Sequence, residues 1–152
     1  MSAIYASDKQ TLQTGYTMTV TDTIVGNVTG CLGAIAIALK VTTVSSTTIT
    51  AITASATNRD TATGETNNGV GQTFTPDPAT STPGNAASGV PALFILYPAG
   101  GMPVIWPSMI IYLKSAATPS AHVVKVEAWP IFTDPTKVRG GRTGLQQLAL
   151  PS

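Results

Sequence analysis

His122 and Cys31 are the side chains of this 152-residue chain whose types suit nucleophilic catalysis, and each type occurs once. A cysteine nucleophile needs a histidine base, but nothing in the sequence ties Cys31 to His122. Cys31 follows Gly30 and precedes an apolar segment, so we interpret it as a small buried hydrophobe that forms no intrachain disulfide. No Gly-x-Ser-x-Gly motif is present, although a serine-histidine-acid triad could still assemble in space. We expect a structural histidine and no enzyme.

The seven carboxylates are spread along the chain without the pairing that glycoside hydrolysis requires. Asp60, Glu65 and Asp77 lie among hydroxyl-bearing residues, but the regular spacing of a calcium loop is absent. A single histidine and a single cysteine cannot fill a tetrahedral metal site. The glycines at 64–71 lack the lysine of a phosphate-binding loop. The sequence therefore predicts no metal and no cofactor.

Lys137, Arg139 and Arg142 form the one local cluster of charge. Three phosphate contacts would bind nucleic acid weakly and in a salt-sensitive way, and no aromatic side chain alternates with these cations to stack on bases. We favour a contact with acidic groups on a neighbouring protein subunit over nucleic acid. The small apolar group Leu145, Leu148 and Leu150 follows the cluster.

Most of the chain alternates with the two-residue period of β-strands. Ile35, Ile37, Leu39 and Val41 share one face of the clearest strand, and the opposite face is small (Ala34, Ala36, Ala38), so we expect close packing over it. The segment 92–97 is apolar on both faces and fits a strand covered on both sides. Further strands are predicted at 14–21, 47–54, 109–114 and 122–129, with a turn at Gly26-Asn27.

Six to eight strands and no amphipathic helix of normal length predict an all-β fold, either a β-sandwich or a barrel, a jelly roll being one such fold. We divide the chain into an irregular N-terminal arm (1–13), one β domain (14–132) and a C-terminal arm (133–152). Residues 57–90 are predicted to be a long loop with one weak strand at 72–75. Such a loop is either a surface excursion or an arm that orders against a partner.

Charged side chains make up only 10 % of the chain, against roughly 25 % in ordinary soluble domains. Threonine occurs 25 times instead, and residues 78–113 carry no charge at all. The net charge of +1 gives no long-range field. The N-terminus lacks the pattern of a secretory signal, and no apolar run is long enough for a membrane helix. Neutral, hydroxyl-rich faces suit a subunit that rests against other protein.

Together, the Thr-rich strands at 14–54, the loop at 57–90 and the irregular ends resemble the small β-rich structural proteins of tailed-bacteriophage virions, especially capsid cement or decoration proteins. The resemblance implies a subunit, often trimeric, made in the host cytoplasm and bound to capsid or coat proteins on the outer shell. A major coat protein or a tail component is an alternative within this class. A glycan-binding β-sandwich of a fibre or spike is the alternative from another class.

We predict that partner contacts use the arms, the long loop and large anchor side chains. Trp106 and Trp129 fill either the core or an interface, where tryptophan is enriched. Deletion of residues 133–152 is expected to leave a folded domain that no longer assembles. The predicted interface residues are Phe74, Trp106, Trp129, Arg139, Arg142, Leu145 and Leu148.

Overall fold

The computed structural model describes residues 3–21, 23–44, 52–57, 74–76, 91–98, 100–115 and 123–138. Within these ranges every regular element but one short 3-10 turn, Pro135–Lys137, is a β-strand. No helix in the described part of the chain is long and apolar enough to cross a membrane. The strands are β1 (Tyr5–Ala6), β2 (Gln10–Thr17), β3 (Thr23–Thr29), β4 (Ala36–Thr43), β5 (Ile52–Thr57), β6 (Phe74–Pro76), β7 (Pro91–Pro98), β8 (Ser108–Ser115) and β9 (Val123–Phe132).

The strands form two antiparallel sheets that pack face to face as a β-sandwich, not a closed barrel. The large sheet has the order β1-β9-β4-β7-β6, and β2 pairs with the same side of β9 as β1 does, further along the strand. The small sheet has the order β3-β8-β5. At one edge of the sandwich β3 lies against β2 and β9, and at the other β5 lies against β6 and β7. The predicted all-β fold is confirmed, and of its two predicted forms the structure shows the sandwich.

The core lies between the sheets and follows the two-residue alternation of each strand. On β4 the side chains of Ile37, Leu39 and Val41 point inward and are fully buried, as predicted. Their counterparts on the small sheet come mainly from the central strand β8. The largest fully buried side chains are Phe94, Phe132, Met18, Ile37, Leu39, Ile52, Leu96, Met109, Ile111, Leu113 and Val25.

Both termini of the described chain are more structured than the irregular arms that we predicted. Residues 5–6 form β1 and residues 10–13 begin β2, because both segments pair with β9. Near the other end Val138 is fully buried in the core. Removal of residues 133–152 would therefore remove a core side chain, so we now expect this deletion to destabilise the domain.

Two strands continue through residues that we expected to end or turn them. β9 runs through Pro130, whose carbonyl accepts a hydrogen bond of 3.1 Å from the Ser7 N–H. A residue in an antiparallel strand directs its N–H and carbonyl to the same side, so the missing N–H of Pro130 faces the gap between β1 and β2, and pairing with β4 continues. Gly26 and Asn27 lie inside β3, where a register shift marks a bulge instead of the predicted turn.

Candidate protein interface

The outward side of the large sheet combines the exposed residues of three neighbouring strands. We call it the outer face; it comprises alternate residues that point away from the core. Because β4 has neighbours on both sides, these residues form rows across β9, β4 and β7. The outer face consists of Ala36, Ala38, Lys40 and Thr42 on β4, Leu93, Ile95 and Tyr97 on β7, and Val123, Lys125, Glu127, Trp129 and Ile131 on β9.

One half of the outer face is apolar. Ala38 pairs with Trp129 on one side and with Ile95 on the other, and Ala36 pairs with Ile131. Both alanines are buried, which fits the expected close packing over the small face of β4. The larger side chains of the adjacent strands flank them in register. The result is a level apolar row, since small and large side chains alternate across the strands.

An apolar depression continues this half of the outer face beyond the end of β7. It has a volume of about 260 Å³. Two backbone hydrogen bonds join the chain segments next to its lining residues Ile35 and Pro103: Gly33 N–H donates to the Val104 carbonyl at 2.7 Å, and Val104 N–H donates to the Ala34 carbonyl at 2.8 Å. The depression is lined by Ile35, Tyr97, Pro98, Gly101, Met102 and Pro103.

Among the residues that define the outer face, the charged ones lie in its other half. Lys40 lies directly opposite Glu127 across the β4–β9 pair. The ammonium of Lys125 lies 3.6 Å from the carboxylate of Glu127, and the Lys125 side chain is 41 % exposed against 14 % for Glu127. The carboxylate is thus shielded between two lysines. This half of the face presents mainly positive charge.

A third lysine reaches the outer face from the segment between β1 and β2. The ammonium of Lys9 lies 5.4 Å from the ring centroid of Trp129. A cation at this distance from an indole face is attracted by the ring quadrupole. Trp129 itself is half-buried. Its ring lies in the apolar half of the outer face, and the Lys9 ammonium lies over it.

The two tryptophans that the sequence offered as anchors have different surroundings. Trp129 lies on the outer face, so the prediction that it is an interface anchor stays open. Trp106 packs against the hydrophobic core, and its indole N–H is buried with no acceptor among the described residues. We therefore assign Trp106 to the core alternative and remove it from the candidate interface.

The remaining predicted contact residues lie elsewhere. Phe74 begins β6, the edge strand of the large sheet, and pairs with Pro98 next to the depression. Four predicted contact residues, together with the long-loop segments 58–73 and 77–90, fall outside the described residues. These four are Arg139, Arg142, Leu145 and Leu148.

Sequence reasoning missed most of the outer face. Leu93 is 56 % exposed, Tyr97 40 % and Met102 60 %, although β7 was predicted to be covered on both sides. That prediction is wrong at Leu93 and Tyr97, because among the described residues the small sheet alone packs on a face of the large one. The sequence did contain a signal for this exposed apolar surface: residues 78–113 carry no charge, and they include a strand that is apolar on both faces.

The described residues offer little for covalent or metal chemistry. Cys31 is fully buried, and its thiol contacts the Val28 carbonyl at 3.3 Å. Burial raises the pKa of this thiol to about 12, against a smaller opposing effect of a hydrogen bond with the Met109 backbone. A thiol with such a high pKa is a poor nucleophile. No three potential metal ligands cluster within the described part, and His122 lies outside it.

Comparison with known proteins gives no relative from which a role could be transferred: no family model matches the chain, and no curated protein or solved structure is significantly similar to it.

Proposed function

We propose that this chain is a structural subunit of an assembled particle, and specifically a capsid decoration (cement) protein that stabilises a virion shell. The observation that carries the proposal is the outer face with its depression. Leu93, Tyr97 and Met102 expose large apolar side chains in a chain that is unusually poor in charge. Such surfaces mark sites of association.

The proposed mechanism is mass action. A subunit that binds only the assembled lattice stabilises that lattice by the free energy of binding. Repetition of the same contact over a symmetric shell adds avidity, so each contact can remain modest. A homo-oligomer, with a trimer as the expectation from the resemblance, would strengthen this effect further.

A major coat protein or tail component would use the same surface, and both stay within the proposed class. A glycan-binding module has less support. A sugar platform would use an exposed tryptophan over a polar groove. Trp106 packs on the core, and Trp129 lies in an apolar row beneath Lys9.

Electron microscopy of the native source material tests the proposal. We expect a regular lattice that carries this chain, identified by labelling with an antibody against it. A source that contains the folded chain only as a solitary molecule, with no particle, would contradict the proposal.

A truncation that keeps the core side chain of Val138 tests whether the C-terminal residues contact a partner. Deletion of residues 139–152 retains Val138 and should leave the thermal unfolding midpoint close to that of the full chain while reducing rebinding to particles from which the chain has been stripped. The longer deletion of residues 133–152 serves as the comparison, since it also removes Val138 and should lower the midpoint. Unchanged rebinding of the shorter truncation would show that the arm is not a contact.

A further inference from the structure

The distribution of apolar and charged residues on the outer face indicates what kind of partner it binds. This inference rests on the proposed role in an assembly. The two halves of the outer face differ: one is apolar and ends in the depression, and the other is cationic. Because strands rise about 3.3 Å per residue, Tyr97 at the depression and Leu93, which lies opposite Lys40, are about 13 Å apart. A partner must present an apolar group to one half and groups that suit the cationic half, at this separation.

The depression has the size of a single large side chain and is smaller than typical pockets for drug-sized ligands. Pockets for drug-sized ligands have volumes of about 300–1,000 Å³, and a few polar groups in their walls point at the ligand. This depression measures about 260 Å³ and is lined by apolar side chains and a glycine. It therefore fits one large apolar side chain that projects from another protein.

The charges argue against a second copy of this chain as the occupant. Lys9, Lys40 and Lys125 lie on or above the outer face. Of the described residues that define the face, Glu127 alone carries a carboxylate, and Lys40 and Lys125 flank it. Two copies packed face to face would bring surfaces of the same net sign together, which is unfavourable in a desolvated contact. An acidic partner would instead gain from the same charges.

We infer that the outer face docks a different protein, through an apolar side chain that enters the depression and acidic side chains that face Lys40, Lys125 and Lys9. The apolar contact provides most of the affinity. The charges select the partner and set its orientation, because a basic surface at the same place would be repelled.

A matched pair of peptides tests this inference on the full chain. One short synthetic peptide alternates leucine and glutamate, and the other alternates leucine and lysine. In the Trp106→Phe variant, Trp129 is the only tryptophan and reports binding at the outer face by its fluorescence. This background should fold, because the substitution removes an indole N–H that lacks an acceptor.

We expect saturable binding of the leucine–glutamate peptide, weakened by salt, and no binding of the leucine–lysine peptide. Lys40→Gln should weaken binding about threefold, the effect of one partly exposed ion pair. Lys114→Gln is the matched control, since Lys114 lies on β8 of the opposite sheet, and it should leave binding unchanged.

Several results would overturn the inference. Equal binding of both peptides, or binding of neither, would remove the role of charge. Self-association that light scattering detects and that Tyr97→Ser abolishes would make a second copy the occupant. Binding to anionic lipid vesicles in preference to the acidic peptide would make a membrane the occupant. A lattice that carries this chain, found together with failure of the peptides, would refute the inference and leave the proposed function standing.

Discussion

Two glutamine side chains of β2 complete the hydrogen bonding of β3, an edge strand of the small sheet. Gln10 acts as a substitute for a neighbouring strand: its Nε2 donates to the Thr29 carbonyl at 2.9 Å, and its Oε1 accepts from the Thr29 N–H at 2.9 Å. Gln13 donates to the Val25 carbonyl at 3.0 Å. These contacts occupy backbone groups that an edge strand would otherwise offer to another chain.

Gln10→Ala should lower the free energy of unfolding by about 1 kcal/mol, because the Thr29 backbone loses both partners on this edge. Urea denaturation followed by circular dichroism measures the change. Thr14→Ala, an exposed position on the same strand, is the control and should be close to neutral. Equal stabilities of the Gln10 variant and the unmodified chain would show that water replaces these bonds without loss.

The buried thiol of Cys31 predicts a specific loss of stability at alkaline pH. The ordinary pKa of the thiol is 9.0 and its pKa in the folded chain is about 12, so between these values the unfolded chain releases a proton that the folded chain retains. Folding is therefore unaffected by this group below pH 9 and becomes less favourable above it. At pH 10 the loss is about 1 kcal/mol.

Comparison with Cys31→Ala isolates this effect from the titration of lysines and tyrosines. The free energy of unfolding of the unmodified chain should fall more steeply between pH 8 and about pH 10.5 than that of the variant. Parallel pH profiles of the two proteins would mean that the thiol is not buried as described.

At the scale of elements, the sandwich depends on the close approach of β2 to β3. Gly26 has a φ of +153°, and a Cβ placed on it would lie 3.1 Å from the Cβ of Leu12. The bulge at this position brings the two strands together where Gln13 reaches Val25. A side chain here would separate the strands at the edge that the glutamines close.

Gly26→Ala should destabilise the fold by about 1–3 kcal/mol, the usual cost of overpacking. Gly100→Ala is the matched comparison, because its φ is also positive, at +85°, but nothing lies within 4 Å of the added Cβ. Only backbone strain, about 1 kcal/mol, should appear there. Thermal denaturation of both variants measures the difference, and a smaller loss for Gly26→Ala than for Gly100→Ala would contradict the close approach.

In the whole molecule, the two faces of the large sheet have different surroundings. The inner face is covered by the small sheet, whereas the outer face exposes apolar side chains at one end and lysines at the other. A chain with so few charges has little else to keep it apart from its neighbours. Association through this face is the physical basis of the proposed role.

Leu93→Ser should weaken rebinding of the protein to stripped particles, because it removes an exposed apolar side chain from the outer face. Val20→Ser is the matched control: Val20 is 55 % exposed, close to the 56 % of Leu93, but follows β2 on a different part of the surface. Co-sedimentation measures rebinding, and both variants should keep the unfolding midpoint of the unmodified chain. Equal rebinding of the two variants would exclude the outer face from the contact.

The sequence alone determined the all-β character and the shared face of Ile37, Leu39 and Val41 on β4, because a period of two is a local property that burial on one face imposes. It left the sandwich and the barrel open as alternatives. It also indicated, through the lack of charge, that association is the property to look for. Only the tertiary structure decided which apolar surfaces remain open, since that depends on which strands pair across long separations in the chain. The small sheet covers one side of β7 and leaves Leu93 and Tyr97 exposed on the other. The same long-range pairing places Trp129 on the surface, Trp106 against the core and Val138 within it.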